Sequence, residues 1–192
     1  MNPKDVACII LASGLSQRFG SQDKLESDLC GQPLVSHVIE TAKQVGFGDI
    51  FLVSNRVSSD GCIMIANKNP KAGQGYALRQ GLLEVQRTGW EYCLILLGDM
   101  PLVSSAYLKG VIVKNKEKQS SISLNEYTRM PPALFYKDII NEILRQNPQR
   151  GAQRVLDKFS LQTVELPSDF ALDVDTPEDL ARVEHIMKAR QK

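Results

Sequence analysis

Three groups of residues in this chain have the types and spacing that phosphate chemistry needs. The first is Leu11-Ala-Ser-Gly-Leu-Ser-Gln-Arg-Phe-Gly20, with Lys24 close behind. An apolar run, Val6 to Ala12, leads into it, so a buried strand is expected to end in a small-residue loop. Small residues let backbone N–H groups approach a polyanion, and cations beside them neutralise it. Arg18 suits bidentate contact to phosphate oxygens, and Lys24 suits point-charge stabilisation of a leaving pyrophosphate. The whole reads as a nucleoside triphosphate cradle. Taken alone, Gly14 and Gly20 would also fit a tight strand-to-helix turn with two solvated cations. The stretch has no Gly-Lys-Ser/Thr, so it is not a Walker loop, and its glycine spacing is not the dinucleotide fingerprint.

The second group is Leu97-Gly98-Asp99-Met100-Pro101, at the end of the most apolar run. A carboxylate there faces the crevice where α/β sheets bind ligands, and hard carboxylates are the usual ligands of Mg²⁺. The plain alternative is that Asp99 starts a turn with Pro101. The third is Asp173-Val-Asp175-Thr-Pro. Alternation puts both acids on one face if the stretch is extended. Asp175 would be the second carboxylate on the Mg²⁺ held by Asp99, or else it merely favours the positive end of the following helix. Asp173 is the alternative second ligand, or else it would orient Asp175 or the metal's waters. Two weaker sites are Asn69-Pro70-Lys-Ala-Gly73-Gln-Gly75, a glycine-punctuated loop able to approach a base or ribose, and Arg150-Gly151-Ala152, which could meet a second phosphate. Both also fit ordinary loops.

The elements that must position these residues alternate. Strands are expected at Val6–Ala12, Asp49–Val53, Cys62–Ala66, Tyr92–Leu97, Ser121–Leu124 and Ala133–Tyr136, and Leu161–Leu166 reads as extended. Helical spacing covers Pro33–Val45, Gly75–Arg87, Tyr107–Lys116, Ile139–Arg145 and Ala152–Phe159. A last helix starts at Pro177, capped by Thr176 with Glu178 and Asp179 at its positive end, and runs to about Arg190. Such alternation predicts an α/β fold, a single domain over 1–192 with a mostly parallel, doubly wound, Rossmann-like sheet and sites at strand carboxyl ends.

Composition narrows the partners. A chain of 192 residues can bury a sizeable core, and a net charge of +1 with mixed signs gives no reason to expect nucleic acid or an acidic membrane. Apolar runs are strand-sized rather than membrane-sized. A cleavable signal peptide is not expected, since it would remove the first motif. Cys8, Cys30, Cys62 and Cys93 form no C-x-x-C pair, and Cys8 and Cys93 read as buried thiols of a cytoplasmic protein. His37 and His185 lie in helical patterns and suit packing or surface roles rather than a metal cluster.

In this order, the three motifs resemble those of the nucleotidyltransferases of molybdenum cofactor biosynthesis, which pair L-A-x-G-x-S-x-R-x-G…K with G-D-M-P and a late D-x-D-T-P-E-D-L. The likeness covers nearly the whole chain. It implies a nucleotide-diphospho-sugar transferase fold and transfer of a nucleoside monophosphate from an NTP to the phosphate of molybdopterin, with release of pyrophosphate. Carried over by position, Leu11, Ala12, Ser13 and Gly14 would line base and phosphates, Arg18 and Lys24 would bind the triphosphate, and Asp99 and Asp175 would hold Mg²⁺. Asp99 would thus also lie at the nucleotide. Gly73 resembles the glycine that follows the family's Asn-Pro. The Asn69-Pro70 and Arg150-Gly151-Ala152 stretches resemble the cytidylyltransferase branch. The spacing from Arg18 to Lys24 and the Ser54-Asn55-Arg56 tripeptide resemble the guanylyltransferase branch, in which Asn55 would touch the nucleotide. CTP is favoured as donor, with GTP next. Two departures from the cytidylyl pattern, Met130-Pro131-Pro132 for Gly-His-Pro and Ala77 for Ser, bear on the acceptor more than on nucleotide chemistry.

The expected reaction is in-line attack of an acceptor phosphate oxygen on the α-phosphorus, with Lys24, Arg18 and Asp99 as the catalytic set. No general base is required, because a phosphate acceptor is already ionised at neutral pH. A molybdoenzyme would receive the product. The rival readings are a sugar-1-phosphate nucleotidyltransferase and a non-catalytic protein that binds a nucleotide or cofactor for delivery. Two retained metal carboxylates speak against the second.

Overall fold

The computed structural model describes residues 1–14, 19, 23–146 and 152–190. Its elements in chain order are β1 (Ala7–Leu11), β2 (Asp28–Leu29), β3 (Gln32–Pro33), α1 (Leu34–Val45), β4 (Ile50–Val53), β5 (Ile63–Ile65), α2 (Gln74–Thr88), β6 (Tyr92–Leu97), α3 (Ser105–Lys114), β7 (Ser121–Asn125), β8 (Thr128–Tyr136), α4 (Lys137–Arg145), α5 (Gln153–Leu156), β9 (Gln162–Glu165) and α6 (Pro177–Arg190). Seven strands form one sheet in the order β5-β4-β1-β6-β8-β7-β9, and β2 and β3 form a small ribbon of their own. Strand β8 runs against both its neighbours, while the other pairs in the large sheet are parallel. The fold is α/β with a mixed, mostly parallel, doubly wound sheet.

The central strands β1, β4 and β6 are apolar along their whole length because helices cover both faces. On one face Cys8, Ile10, Leu52, Leu94 and Leu96 meet α1, α3 and Val183 of α6. On the other, Ala7, Ile9, Phe51, Cys93 and Ile95 meet α2, α4 and α5. Helix α2 lies so close to β1 that a Cβ on Gly81 would stand 2.9 Å from Ile9 Cδ1. Cys8 and Cys93 are fully buried thiols, and burial pushes both well above the ordinary range. His37 bonds the Leu29 carbonyl and the Gln32 side chain, which ties α1 to the β2–β3 ribbon. Among the described residues no helix is long and apolar enough to cross a membrane.

Two segments differ from the sequence reading. The expected strands around Ser121 and Ala133 are one hairpin, β7–β8, and β8 extends back to Thr128 through two prolines. A bulge makes that possible: Ile122 pairs with Ala133 but Ser123 pairs with Met130, so Pro131 and Pro132 fall outside the ladder. The Ser123 hydroxyl donates to the Pro132 carbonyl at 2.6 Å. The helix expected over 152–159 is regular only over Gln153–Leu156. Lys158 and Phe159 continue it as tight i to i−3 turns onto Val155 and Leu156.

Candidate active site

Strand order reverses at β1: β4 and β5 lie to one side and β6 to the other. That reversal opens a crevice at the carboxyl ends of β1 and β6. Gly98 donates its N–H to the Leu11 carbonyl at 2.9 Å and ties the two strand ends together. A Cβ on Gly98 would stand 3.2 Å from both that carbonyl oxygen and Ala12 Cβ, so the small residue allows the approach. Asp99 follows directly.

The Asp173–Asp175 segment reaches Asp99 through the backbone. Val174, fully buried, donates its N–H to the Asp99 carbonyl at 2.9 Å. Beyond it, Thr176 and Asp179 form a reciprocal cap on α6: Thr176 Oγ1 accepts from the Asp179 N–H at 3.2 Å, and Asp179 Oδ2 accepts from the N–H groups of Thr176 and Asp175 at 2.9 and 3.2 Å. The cap that starts the helix therefore also fixes the backbone of Asp175.

Lys24 is delivered by a 3₁₀ turn, Lys24–Glu26, capped by the Asp23 carboxylate on the Leu25 N–H and anchored by buried Leu25. Its ammonium lies 2.8 Å from Asp99 Oδ2 and 2.7 Å from Asp175 Oδ1. Residues 75 and 151 positions apart in sequence thus meet at one nitrogen. The Lys24 side chain is 9% exposed and that of Asp99 20%. Burial by itself would push the Lys24 ammonium down; Asp99 and Asp175 outweigh it and hold the group above its ordinary value. Asp173 does not share this ammonium bond. Desolvation first, then the charges of Asp99 and Asp175, push its carboxyl up.

Of the residues expected to line the nucleotide, Leu11 and Ala12 have buried side chains, and the Ala12 N–H is spent on the Val53 carbonyl. Ser13 emerges half-buried and Gly14 exposed. Asn55 donates its amide to the Asn67 carbonyl at 2.6 Å. Gly73 sits at φ +82 just before α2, a left-handed conformation that favours glycine, and α2 starts on it without a side-chain cap. Arg18 lies outside the described residues, as do Arg150 and Gly151. Sequence reasoning passed over two residues here. Asp23 pairs with Arg56 at 3.1 Å, across from the loop after β4. Asn67, 2% exposed, donates to Ser13 Oγ at 2.9 Å and accepts from the Asn69 N–H at 3.1 Å. Its signal was a second Asn two positions before Asn69-Pro70, beside the stretch already singled out.

A strand-end loop, a buried lysine and two converging carboxylates at a doubly wound switch point suit nucleotide chemistry. The family model of the MobA-like NTP transferase domain matches residues 8–164. The chain belongs to the MobA-like NTP transferase family. It is 25% identical over 185 residues to a probable molybdenum cofactor guanylyltransferase of Aquifex aeolicus, covering 92% of this chain and 89% of that one. It is 32% identical over 159 residues to the bifunctional protein GlmU of Nitrosomonas eutropha, covering 78% of this chain but spanning only 33% of that relative. The manganese complex of Rv0371C from Mycobacterium tuberculosis H37Rv superposes with a TM-score of 0.73 at 19% identity, over 94% of this chain and 98% of that one, and shares the fold.

Membership in the MobA-like family makes this a nucleotidyltransferase in general terms and raises the question of a divalent cation. Asp99 Oδ1 is buried and, among the described residues, has no hydrogen-bond partner. A buried carboxylate oxygen left in that state is costly unless something binds it. Together with Asp175, Asp99 offers the one or two carboxylates with which Mg²⁺ is held when phosphates and waters complete its shell. The donor set fits the ion.

Proposed function

We propose that the chain transfers a nucleoside monophosphate from CTP or GTP to a phosphorylated acceptor, molybdopterin, and releases pyrophosphate. The convergence of Asp99, Asp175 and Lys24 on one point at the switch-point crevice carries this reading. The near full-length likeness to a probable molybdenum cofactor guanylyltransferase supports the acceptor and adds weight to GTP. The Asn69-Pro70 loop resembles the cytidylyl branch and keeps CTP in the comparison.

Asp99 and Asp175 would hold Mg²⁺, which supplies positive charge for the oxygens of the reacting α-phosphate. The remaining work falls to the chain. Ser13, Gly14 and the turn at Gly73 receive the nucleotide. Lys24 leaves the carboxylates for the β- and γ-phosphates, and Arg18 joins it there. An ionised oxygen of the acceptor phosphate attacks the α-phosphorus in line. The bond from that phosphorus to the bridging oxygen breaks, and its electron pair leaves with pyrophosphate, stabilised by Lys24 and Arg18. No side chain needs to remove a proton.

The test is pyrophosphate release with CTP, GTP, ATP and UTP in turn, each with molybdopterin or with common sugar 1-phosphates. Release that requires molybdopterin together with CTP or GTP is the expected result. Release only with a sugar 1-phosphate would move the acceptor to that class. Nucleotide binding with no release under any pairing would favour a delivery protein.

A further inference from the structure

Asn67 stands at the junction of three loops. It follows β5, its backbone carbonyl accepts from Asn55 in the loop after β4, and its side chain reaches Ser13 in the loop after β1. The amide can take only one orientation. Its Oδ1 accepts the Asn69 N–H, a group that can only donate, so Nδ2 must be the end that faces Ser13. Ser13 Oγ therefore receives a hydrogen bond at 2.9 Å on one lone pair. Among the described residues the Ser13 hydroxyl donates to nothing, and Ser13 is only half-buried. Its proton is free for an acceptor brought by a ligand, and Ser13 stands just beyond the carboxyl end of β1, where ligands of such sheets bind.

We infer that Asn67 is a positioning residue that commits the Ser13 hydroxyl to donate a hydrogen bond to an acceptor atom of the bound nucleotide. The inference rests on the nucleotidyl-transfer reading above. Burial matters to it: at 2% exposure the amide has little water to exchange partners with, so the polarity it imposes on Ser13 is fixed before the ligand arrives.

The discriminating variant is Asn67→Asp. A carboxylate of the same shape keeps an acceptor for the Asn69 N–H but can only accept from Ser13. The hydroxyl must then donate inward and turn its lone pairs to the ligand. The experiment is a double-mutant cycle on the full chain, Ser13→Ala against Asn67→Asp, with Kd for CTP and for GTP measured calorimetrically in Mg²⁺ and the initial rates measured alongside. In the Ser13 background, Asn67→Asp is expected to raise Kd and KM about tenfold or more, with kcat within about twofold, for the nucleotide that binds. In the Ser13→Ala background the same change is expected to cost no more than about threefold, the residue of its added charge. Equal losses in both backgrounds would overturn the assignment. Should Asn67→Asp not fold, Asn67→Ala runs the same cycle: a loss of about threefold confined to the Ser13 background supports the inference, and equal losses overturn it. If the wild-type chain binds none of CTP, GTP, ATP and UTP, the nucleotidyl-transfer reading falls and this inference falls with it.

Discussion

Lys24 is a cation placed where two anions would otherwise repel each other. Its ammonium lies within 2.8 Å of both Asp99 and Asp175 and is held protonated by them despite its burial. Removing either acid leaves a largely buried charge with a poorer set of partners, which is destabilising in general. Asp99→Asn is therefore expected to lower Tm as well as to cut turnover by about 10²-fold or more, the scale on which single transition-state charge stabilisers act. Lys24→Ala is expected to lower kcat by a similar factor, measured as pyrophosphate release at saturating nucleotide. Asp173 gives the opposite sign. Its carboxyl is pushed above its ordinary value of 3.8 by desolvation and by Asp99 and Asp175, so ionising it opposes folding. That loss is full at pH above its folded-state pKa and vanishes below the unfolded value. Asp173→Asn is expected to raise Tm at pH 7 in the absence of metal, with the gain closing as the pH falls towards 3.8. An equal gain at every pH would point to packing instead. Among single residues, type and spacing singled out the three acids and Lys24, which the fold brings close together. The direct bond between Lys24 and the acid pair was not readable, because it depends on how a chain folds back between residues 151 positions apart.

Whether those residues meet depends on a few element ends. The α6 cap is the clearest case. Thr176 takes the Asp179 N–H in the first turn of the helix, and Asp179 in return holds the N–H groups of Thr176 and Asp175. Thr176→Ala is expected to cost about 0.5–2 kcal/mol, the range for losing an N-cap, read from denaturant midpoints. Activity should fall by more than stability alone explains, since Asp175 is fixed by the same cap; unchanged kcat/KM would separate the two roles. The cap could be read from Thr-Pro-Glu-Asp because its rules are local. The central strands could be read because burial on both faces makes them uniformly apolar. The β7–β8 hairpin could not, since two prolines argue against a strand and only the bulge at Ile122–Ser123 admits them. Asn67 escaped for a related reason: a buried amide shows its value only through partners 54 positions upstream and two downstream.

At the scale of the whole molecule, one topological fact organises the site. The chain winds outward from β1 in both directions, so the connections that leave the carboxyl ends of β1 and β6 run to opposite sides, the arrangement that makes a ligand crevice at a switch point. Gly98 ties those strand ends, and Val174 binds the Asp99 backbone and so brings the late Asp-Val-Asp-Thr-Pro segment beside them. The doubly wound class followed from alternating helical and strand periods. The reversed strand β8 did not, because nothing in a strand's own pattern states its direction. The most direct test is a crystal structure of the full chain with Mn²⁺ and either CTP or GTP, located by anomalous scattering. The expected result is one Mn²⁺ ligated by oxygens of both Asp99 and Asp175 at about 2.1 Å, the distance of a small hard cation, with the Lys24 ammonium moved onto the phosphates. A bound Mn²⁺-nucleotide with Lys24 still joined to both aspartates, and the metal elsewhere, would contradict it.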